Sequence, residues 1–476
     1  MQKKLDYIIF MGYNFIIVIS KGVVSMVERI KELIDEKRYV DVRQMLADMN
    51  PADISILFSE FSDDLIPILF RILPKDIATD VFVEMTAAEQ QTLIQSFSDF
   101  EIKIVFDDLF LDDAVDIVEE MPANVVKRIL SNSSPTVRNQ INNLLKYPKD
   151  SAGSIMTIEY VDLKKNLTVE QAFEHIKKTG VDKETIYTCY VTDSARVLIG
   201  IVTAKTLLLA NRDDTIADIM ETHVIYANTH DDREDVAKTI EKYGFLALPV
   251  VDKENRLVGI VTVDDAIDVL QEEVDEDISK MAAIIPNETP YLESGILSIW
   301  KARIPWLLLL MISATVTGAI ISSFESALAA CAVLTTFIPM LMGTGGNSGS
   351  QASVTIIREL SLGEVKFSDM FRVLWKEFRV SVLCGLTLAV VEFVKLVVFD
   401  SIILGNPAIT LSVALAVSVT VCLTVILAKL VGCALPIVAQ KIGFDPAVMA
   451  SPFITTVVDA LSLIVFFTIS ASILNI

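Results

Sequence analysis

Asp459 stands where an acid is costly. It lies in Ser451-Pro452-Phe453-Ile454-Thr455-Thr456-Val457-Val458-Asp459-Ala460, inside an apolar run over 447–476. At a bilayer centre an ionisable side chain costs about 2.5 to 3.5 kcal/mol on insertion scales, so it calls for a partner, an ion or water. Thr455 and Ser462 sit at i−4 and i+3 from Asp459, which predicts one polar stripe on an otherwise greasy helix. A second polar element is Gly343-Thr344-Gly345-Gly346-Asn347-Ser348-Gly349-Ser350-Gln351, again within an apolar run. Its glycines admit close backbone approach, and Asn347 and Gln351 share a helical face. Together with Asp459, the residues Gly345, Asn347 and Gln351 are expected to line a water-filled path. Carboxylate, hydroxyl and carbonyl oxygens suit a hard divalent cation, and magnesium keeps most of its waters, needing only one or two protein carboxylates. A double charge moving down the membrane potential gains about 4.6 kcal/mol per 100 mV, so no chemical motor is required.

A third element is the acid-dense stretch Asp264, Asp265, Asp268, Glu272, Glu273, Asp275, Glu276 and Asp277. Like charges at helical spacing repel, and cations relieve the repulsion. Because this stretch leads toward the first apolar run, it reads as a cation-operated lever.

The elements that must position these residues are membrane helices and a large soluble part. A bilayer core of about 30 Å needs about 20 helical residues. Apolar runs over about 304–323, from about 327 through the glycine motif, and over about 380–399, 407–436 and 447–476 predict five spans. The connection between the second and third carries Arg358, Lys366, Arg372, Lys376 and Arg379, which the positive-inside rule assigns to the cytoplasm. The soluble part is then cytoplasmic and the C-terminus outside. Within the spans, Glu392 and Lys395 read as an i,i+3 ion pair, and Lys429 as a side chain that snorkels to water.

Of 40 basic and 62 acidic residues, ten of each lie from position 291 onward, so the first part carries the whole net charge of −22. Such an excess repels nucleic-acid phosphate and attracts cations. Five cysteines without a CxxC pair indicate neither a disulfide framework nor a zinc site. Residues 1–26 form an N-terminal extension with a short apolar stretch, and Met26, which opens an amphipathic segment, is the expected translation start. Over 27–150, short apolar-periodic segments broken at Asn50-Pro51, Leu73-Pro74 and Met121-Pro122 predict an all-α superhelical stack.

Residues 151–275 repeat internally. Ser154-Ile155-Met156-Thr157 returns as Asp218-Ile219-Met220-Glu221, and Gly200-Ile201-Val202-Thr203 as Gly259-Ile260-Val261-Thr262. The pattern resembles a tandem of CBS domains, α/β modules over 151–215 and 216–275. The resemblance implies an adenine-nucleotide ligand, ATP for example, whose ribose is held by a Thr and an Asp three places later. Thr262 and Asp265 supply that pair in the second module, whereas Thr203-Ala204-Lys205-Thr206 in the first lacks the carboxylate.

The run Pro339-Met340-Leu341-Met342-Gly343 through Gln351 strongly resembles the MgtE family of magnesium channels, and the order of an acidic helical domain, a CBS pair, a connecting helix and five spans is similar too. The resemblance implies a homodimeric magnesium channel in the cell membrane, closed by cytosolic magnesium. It implies that Asp459 binds hydrated magnesium beside the Thr455 carbonyl. It further implies regulatory ions held by Asp80, Asp112 and Asp116, by Asp232, Glu234, Asp265 and Asp268, and by Glu273, Glu276 and Asp277 near a connecting, or plug, helix over 276–303. The pore domain is then 304–476. Gly244 stands where the family carries an acid.

Manganese or cobalt transport is an alternative that oxygen ligands do not exclude, and a CBS-regulated anion channel is another, disfavoured by an acid in the pore. An enzyme is not expected. Lys205-Thr206 lacks the glycines of a phosphate loop, the three histidines lack HExxH spacing, and no second intramembrane Asp lies at comparable depth to share a proton with Asp459.

Overall fold

The computed structural model describes residues 25–287, 291–292, 294–449 and 451–475. Most of the N-terminal extension, with the question of the start codon, lies outside the described residues. The chain forms two compact units that divide after Leu270.

The first unit opens with a stack of short helices. Proline marks its joints as expected. Asn50 caps Pro51–Phe58 by accepting from the Ala52 amide, and Pro74 and Pro122 precede α1 (Lys75–Val83) and the helix Ala123–Asn132. Phe70, Phe82, Phe97 and Phe106 pack edge-on or tilted in the middle of the stack. Helix α2 (Leu111–Glu120) buries Leu111, Asp112, Ala114, Val115, Ile117 and Val118, so one acid goes inside with the apolar face.

Two three-stranded sheets follow. In the first, β1 (Tyr160–Lys164) runs parallel to β2 (Thr185–Thr192), which pairs antiparallel with β3 (Leu198–Thr203). In the second, β4 (Ala227–Asn228), β5 (Ala247–Val251) and β6 (Leu257–Thr262) repeat that arrangement. The two repeated motifs turn out to be exchanged. Thr157 pairs with Ile260 of the second sheet, and Glu221 with Ile201 of the first. Gly259 and Gly200 make the room, since a Cβ there would lie 2.6 Å from Met156 Sδ and 2.9 Å from Met220 Sδ. Each module therefore lends the other an edge segment. Helix α3 (Arg233–Tyr243) ends on Gly244 at φ +64°. That left-handed C-cap favours glycine and accounts for the missing acid.

Helix α4 (Val263–Met281) runs through the division between the units. It stops at Met281, and the next helix, α5 (Ile296–Ser323), begins before position 304. A single connecting helix over 276–303 is thus not formed. The acidic segment is instead the end of α4, and residues 282–287 after it are not helical.

In the second unit, the long helices are α5, α6 (Ile338–Ser361), α7 (Met370–Val394, continued by a π-helical segment Lys395–Ile403), α8 (Leu411–Lys441) and α9 (Ser451–Leu474). Among the described residues, four helices are long and apolar enough to cross a membrane: α5, α7 with its extension, α8, and α9 with the turn before it. The glycine-rich α6 falls short in apolarity. The run expected from about 327 is broken into Glu325–Ala330, a 3-10 segment Ala332–Phe337 and then α6.

Glycines set the spacing of these helices. A Cβ at Gly432 of α8 would run into the carbonyl oxygen of Gly349 on α6. Backbone cannot yield as a side chain tip can, so Gly432→Ala is expected to lower stability by about 3 kcal/mol, read as a fall in melting temperature of the solubilised protein. All five cysteines are free.

Candidate functional site

Asp459 lies near the middle of α9, a helix whose other ionisable positions are empty. Its Oδ1 atom is buried and has no hydrogen-bond partner among the described residues. A buried carboxylate oxygen left so is costly and calls for a cation or water. No lysine meets it. The flanking polar residues divide their roles. Ser462 is buried and donates to the Val458 carbonyl at 2.6 Å, satisfying itself within the helix. Thr455 lies against α6, 2.9 Å from where a Cβ at Gly346 would be.

Helix α6 meets α9 through its glycine face. A Cβ at Gly345 would lie 2.7 Å from Ser462 Oγ and 2.9 Å from Thr424 Cγ2, and one at Gly349 would lie 2.8 Å from Ile454 Cγ2. Gly345 is therefore a packing residue and does not line a wet path within the chain. Asn347 and Gln351 are exposed on another face, two residues being about 200° apart on a helix. They line a cleft of about 510 Å³ with Thr344, Ser348, Cys384, Thr387 and Lys429. Asp459 is not in its lining, so the two polar elements expected to share one path face different ways in a single chain.

Lys429 does not snorkel. It is 7% exposed and its Nζ lies 3.1 Å from Glu377 Oε1. Gly385 approaches Cys422 while Glu377 meets Lys429, so α7 and α8 run antiparallel at close range and the carboxylate reaches the ammonium before water does. Lys429→Met is expected to cost about 3–5 kcal/mol, because it strands Glu377, while Lys429→Met with Glu377→Leu is expected to be near neutral. Equal denaturation midpoints for the single and double variants would contradict the pairing. Glu392 and Lys395 do form the i,i+3 pair, at 3.2 Å.

The acidic cluster forms in the first unit around α2 and the start of α4. Asp112 is 6% exposed, and burial, then Asp265 and Asp113, push its carboxyl well above the usual range. Burial and Asp265 likewise raise Asp113 to about 7. Partial burial and then Asp265 push the Asp116 carboxyl upward, although the residue is exposed at the surface of α2. Asp265 is raised by burial to about 6 against the opposing hydrogen bond from the Thr262 hydroxyl. Asp268, one turn on, is raised by partial burial and by Asp264. Two acids that the sequence did not single out also contribute. Glu184 is raised to about 7 by burial and then by Asp264, and Glu159, which accepts from the Leu111 amide at 3.1 Å, repels it in turn. They come from the first module, and no local pattern points across the chain to α2; Asp113 was legible only as the neighbour of Asp112. Crowded carboxylates of this kind hold protons or attract cations.

Other expected ligands are elsewhere. Asp80 is exposed on α1. Asp232 caps α3, accepting from the Glu234 amide at 2.8 Å, and Glu234 pairs with Lys238 at 2.5 Å. Among the described residues no three His, Cys, Asp or Glu side chains stand close enough to cage a metal by themselves, so the acids crowd one another without forming a finished site.

In the second unit, the end of α4 is fastened to the membrane part. Lys280 Nζ lies 2.5 Å from Glu276 and 2.6 Å from Asp445. Ser361 donates to Asp277 at 3.1 Å, and Met281 packs on Ile357 and Ala447. Glu276 thus meets a tethered ammonium, a partner the sequence reading did not include. Glu273 is half-buried on the same helix.

Comparison with known proteins gives a consistent picture. Residues 338–469 match the family model of MgtE, a divalent cation transporter, residues 49–150 the MgtE intracellular N domain, and residues 152–213 and 216–272 the CBS domain. The magnesium transporter MgtE of Thermus thermophilus is 36% identical over 450 residues, 94% of this chain and 98% of that protein. The magnesium transporter MgtE of Bacillus subtilis is 32% identical over 451 residues, covering 95% and 98%. A solved cytosolic domain of the Mg2+ channel MgtE in complex with ATP aligns with 33% identity and a TM-score of 0.48, over 50% of this chain and 98% of that one. The chain belongs to the MgtE family of divalent cation transporters.

Proposed function

We propose that this protein is a membrane transporter of Mg2+, with a cytosolic N-terminal part, that passes hydrated Mg2+ down its electrochemical gradient. One observation carries the reading: a carboxylate, Asp459, held in an apolar helix with a buried Oδ1 that has no hydrogen-bond partner among the described residues. Such a group suits a hydrated divalent ion, which needs few protein ligands.

Helix α6 counts as a span in this reading, because 24 residues at 1.5 Å reach across a core of about 30 Å. Five crossings from a cytosolic start put the C-terminus outside. Two copies supply the path, with Asp459 of each on a shared axis beside the Thr455 carbonyl. Helix α5, uncharged over 304–323 and with none of its residues buried within one chain, is in keeping with lipid or a second copy around it.

Closure follows from the acids. At low cytosolic Mg2+ the carboxylates around Asp112, Asp116, Asp265 and Asp268 repel one another; at high Mg2+ ions bridge them, and α4, as the plug helix, holds the path shut through its Glu273, Glu276 and Asp277 end. A nucleotide ribose is placed at Thr262 and Asp265, whose side chains are already hydrogen-bonded to each other.

The test is ion flux into liposomes holding the purified protein. Uptake of Mg2+ ahead of Mn2+, Co2+ and Ca2+ is expected, without chloride flux. Preference for Mn2+ or Co2+ would reassign the cargo, and chloride flux without cation flux would overturn the reading.

A further inference from the structure

We infer that the cytoplasmic end of α7 and α8 is a binding site for an anionic phospholipid. The inference rests on these helices spanning the membrane.

The first turns of α7 carry two parallel stripes. Phe371, Trp375 and Phe378 form one, at i, i+4 and i+7; Arg372, Lys376 and Arg379 form the next, displaced by one residue, about 100° around the helix. The aromatic stripe forms one wall of an apolar groove of about 540 Å³, closed on the other side by Leu430, Val431 and Ala434 of α8. Phe371 is 85% and Trp375 61% exposed, so both rings lie bare at this helix end. Trp375 and Phe378 are stacked, 5.7 Å between ring centres, and the Arg379 guanidinium stands 5.9 Å from the Trp375 ring.

Charge selects the occupant. Arg372, Lys376 and Arg379 are exposed and have no carboxylate partner among the described residues. The acid on the same turns, Glu377, points inward to Lys429 and leaves the stripe positive. Aromatic rings at headgroup depth with cations beside them match a lipid whose tail fills the groove and whose phosphate meets the basic stripe. A neutral lipid uses only half of this surface.

Single-tryptophan proteins test the site in vesicles containing brominated lipids, which quench on contact. Trp300→Phe with Trp306→Phe leaves Trp375 as the reporter; Trp300→Phe with Trp375→Phe leaves Trp306, in α5, as a control on membrane insertion. Brominated phosphatidylglycerol is expected to quench Trp375 with at least about fivefold preference over brominated phosphatidylcholine, and Arg372→Gln with Lys376→Gln and Arg379→Gln to erase that preference. Equal quenching of Trp375 by both lipids overturns the site. Trp375 quenched by neither while Trp306 is quenched also overturns it, and assigns the groove to a protein surface. Quenching of neither tryptophan overturns the membrane reading as well.

Discussion

Asp459→Asn is expected to reduce Mg2+ uptake by at least about 100-fold in liposomes, with the protein folded and inserted normally. The carboxylate and amide are nearly the same shape, so what is lost is charge. A divalent ion about 5 Å from a carboxylate, at an effective dielectric near 20, is favoured by on the order of 6 kcal/mol. Part of that is returned as water solvates the ion, and the remainder needs to exceed only about 2.8 kcal/mol to give two decades. Asp459→Glu keeps the charge and displaces it by one methylene, so it is expected to retain part of the flux. Uptake by the Asn variant at the native rate would mean that the ion passes elsewhere.

The second large effect concerns shut-off. Asp112→Ala with Asp116→Ala removes two carboxylates that crowd Asp265. The cytosolic-side Mg2+ concentration that halves the flux is expected to rise by about tenfold or more, each lost contact contributing on the order of 1 kcal/mol in a partly screened setting. The same change removes repulsion, so without Mg2+ the helical stack and the CBS pair should resist trypsin better than in the native protein, opposite to what simple misfolding would do. A midpoint equal to the native one would remove these acids from regulation.

Much of the fold was legible locally. Proline and capping residues marked the joints of the helical stack because each acts on its own backbone. The repeat of Gly-Ile-Val-Thr announced two similar sheets, but not that Met156 sits on Gly259 and Met220 on Gly200. That exchange depends on contacts far apart in the chain, where periodicity carries no information. In the membrane part, length and hydropathy predicted five spans; four are helices of that kind among the described residues, and the run from about 327 is broken before α6. Its glycines had two readings, wet path and close packing, and neighbours 2.7 to 2.9 Å from a Cβ position decide for packing at Gly345 and Gly346.

Residue types and their spacing alone determined that the chain joins an acidic soluble part to an apolar helical part, that a lone carboxylate stands in the last helix, and that carboxylates are concentrated between the two. Those are properties of composition and short-range period. Tertiary structure decided which acids meet: Asp112 with Asp265 and Glu184, while Asp80 stays at the surface; Lys429 with Glu377; Glu276 with Lys280 and Asp445. Electrostatic neighbours are set by distance in space, falling as 1/r and changing several-fold with burial, and neither quantity is written along the chain.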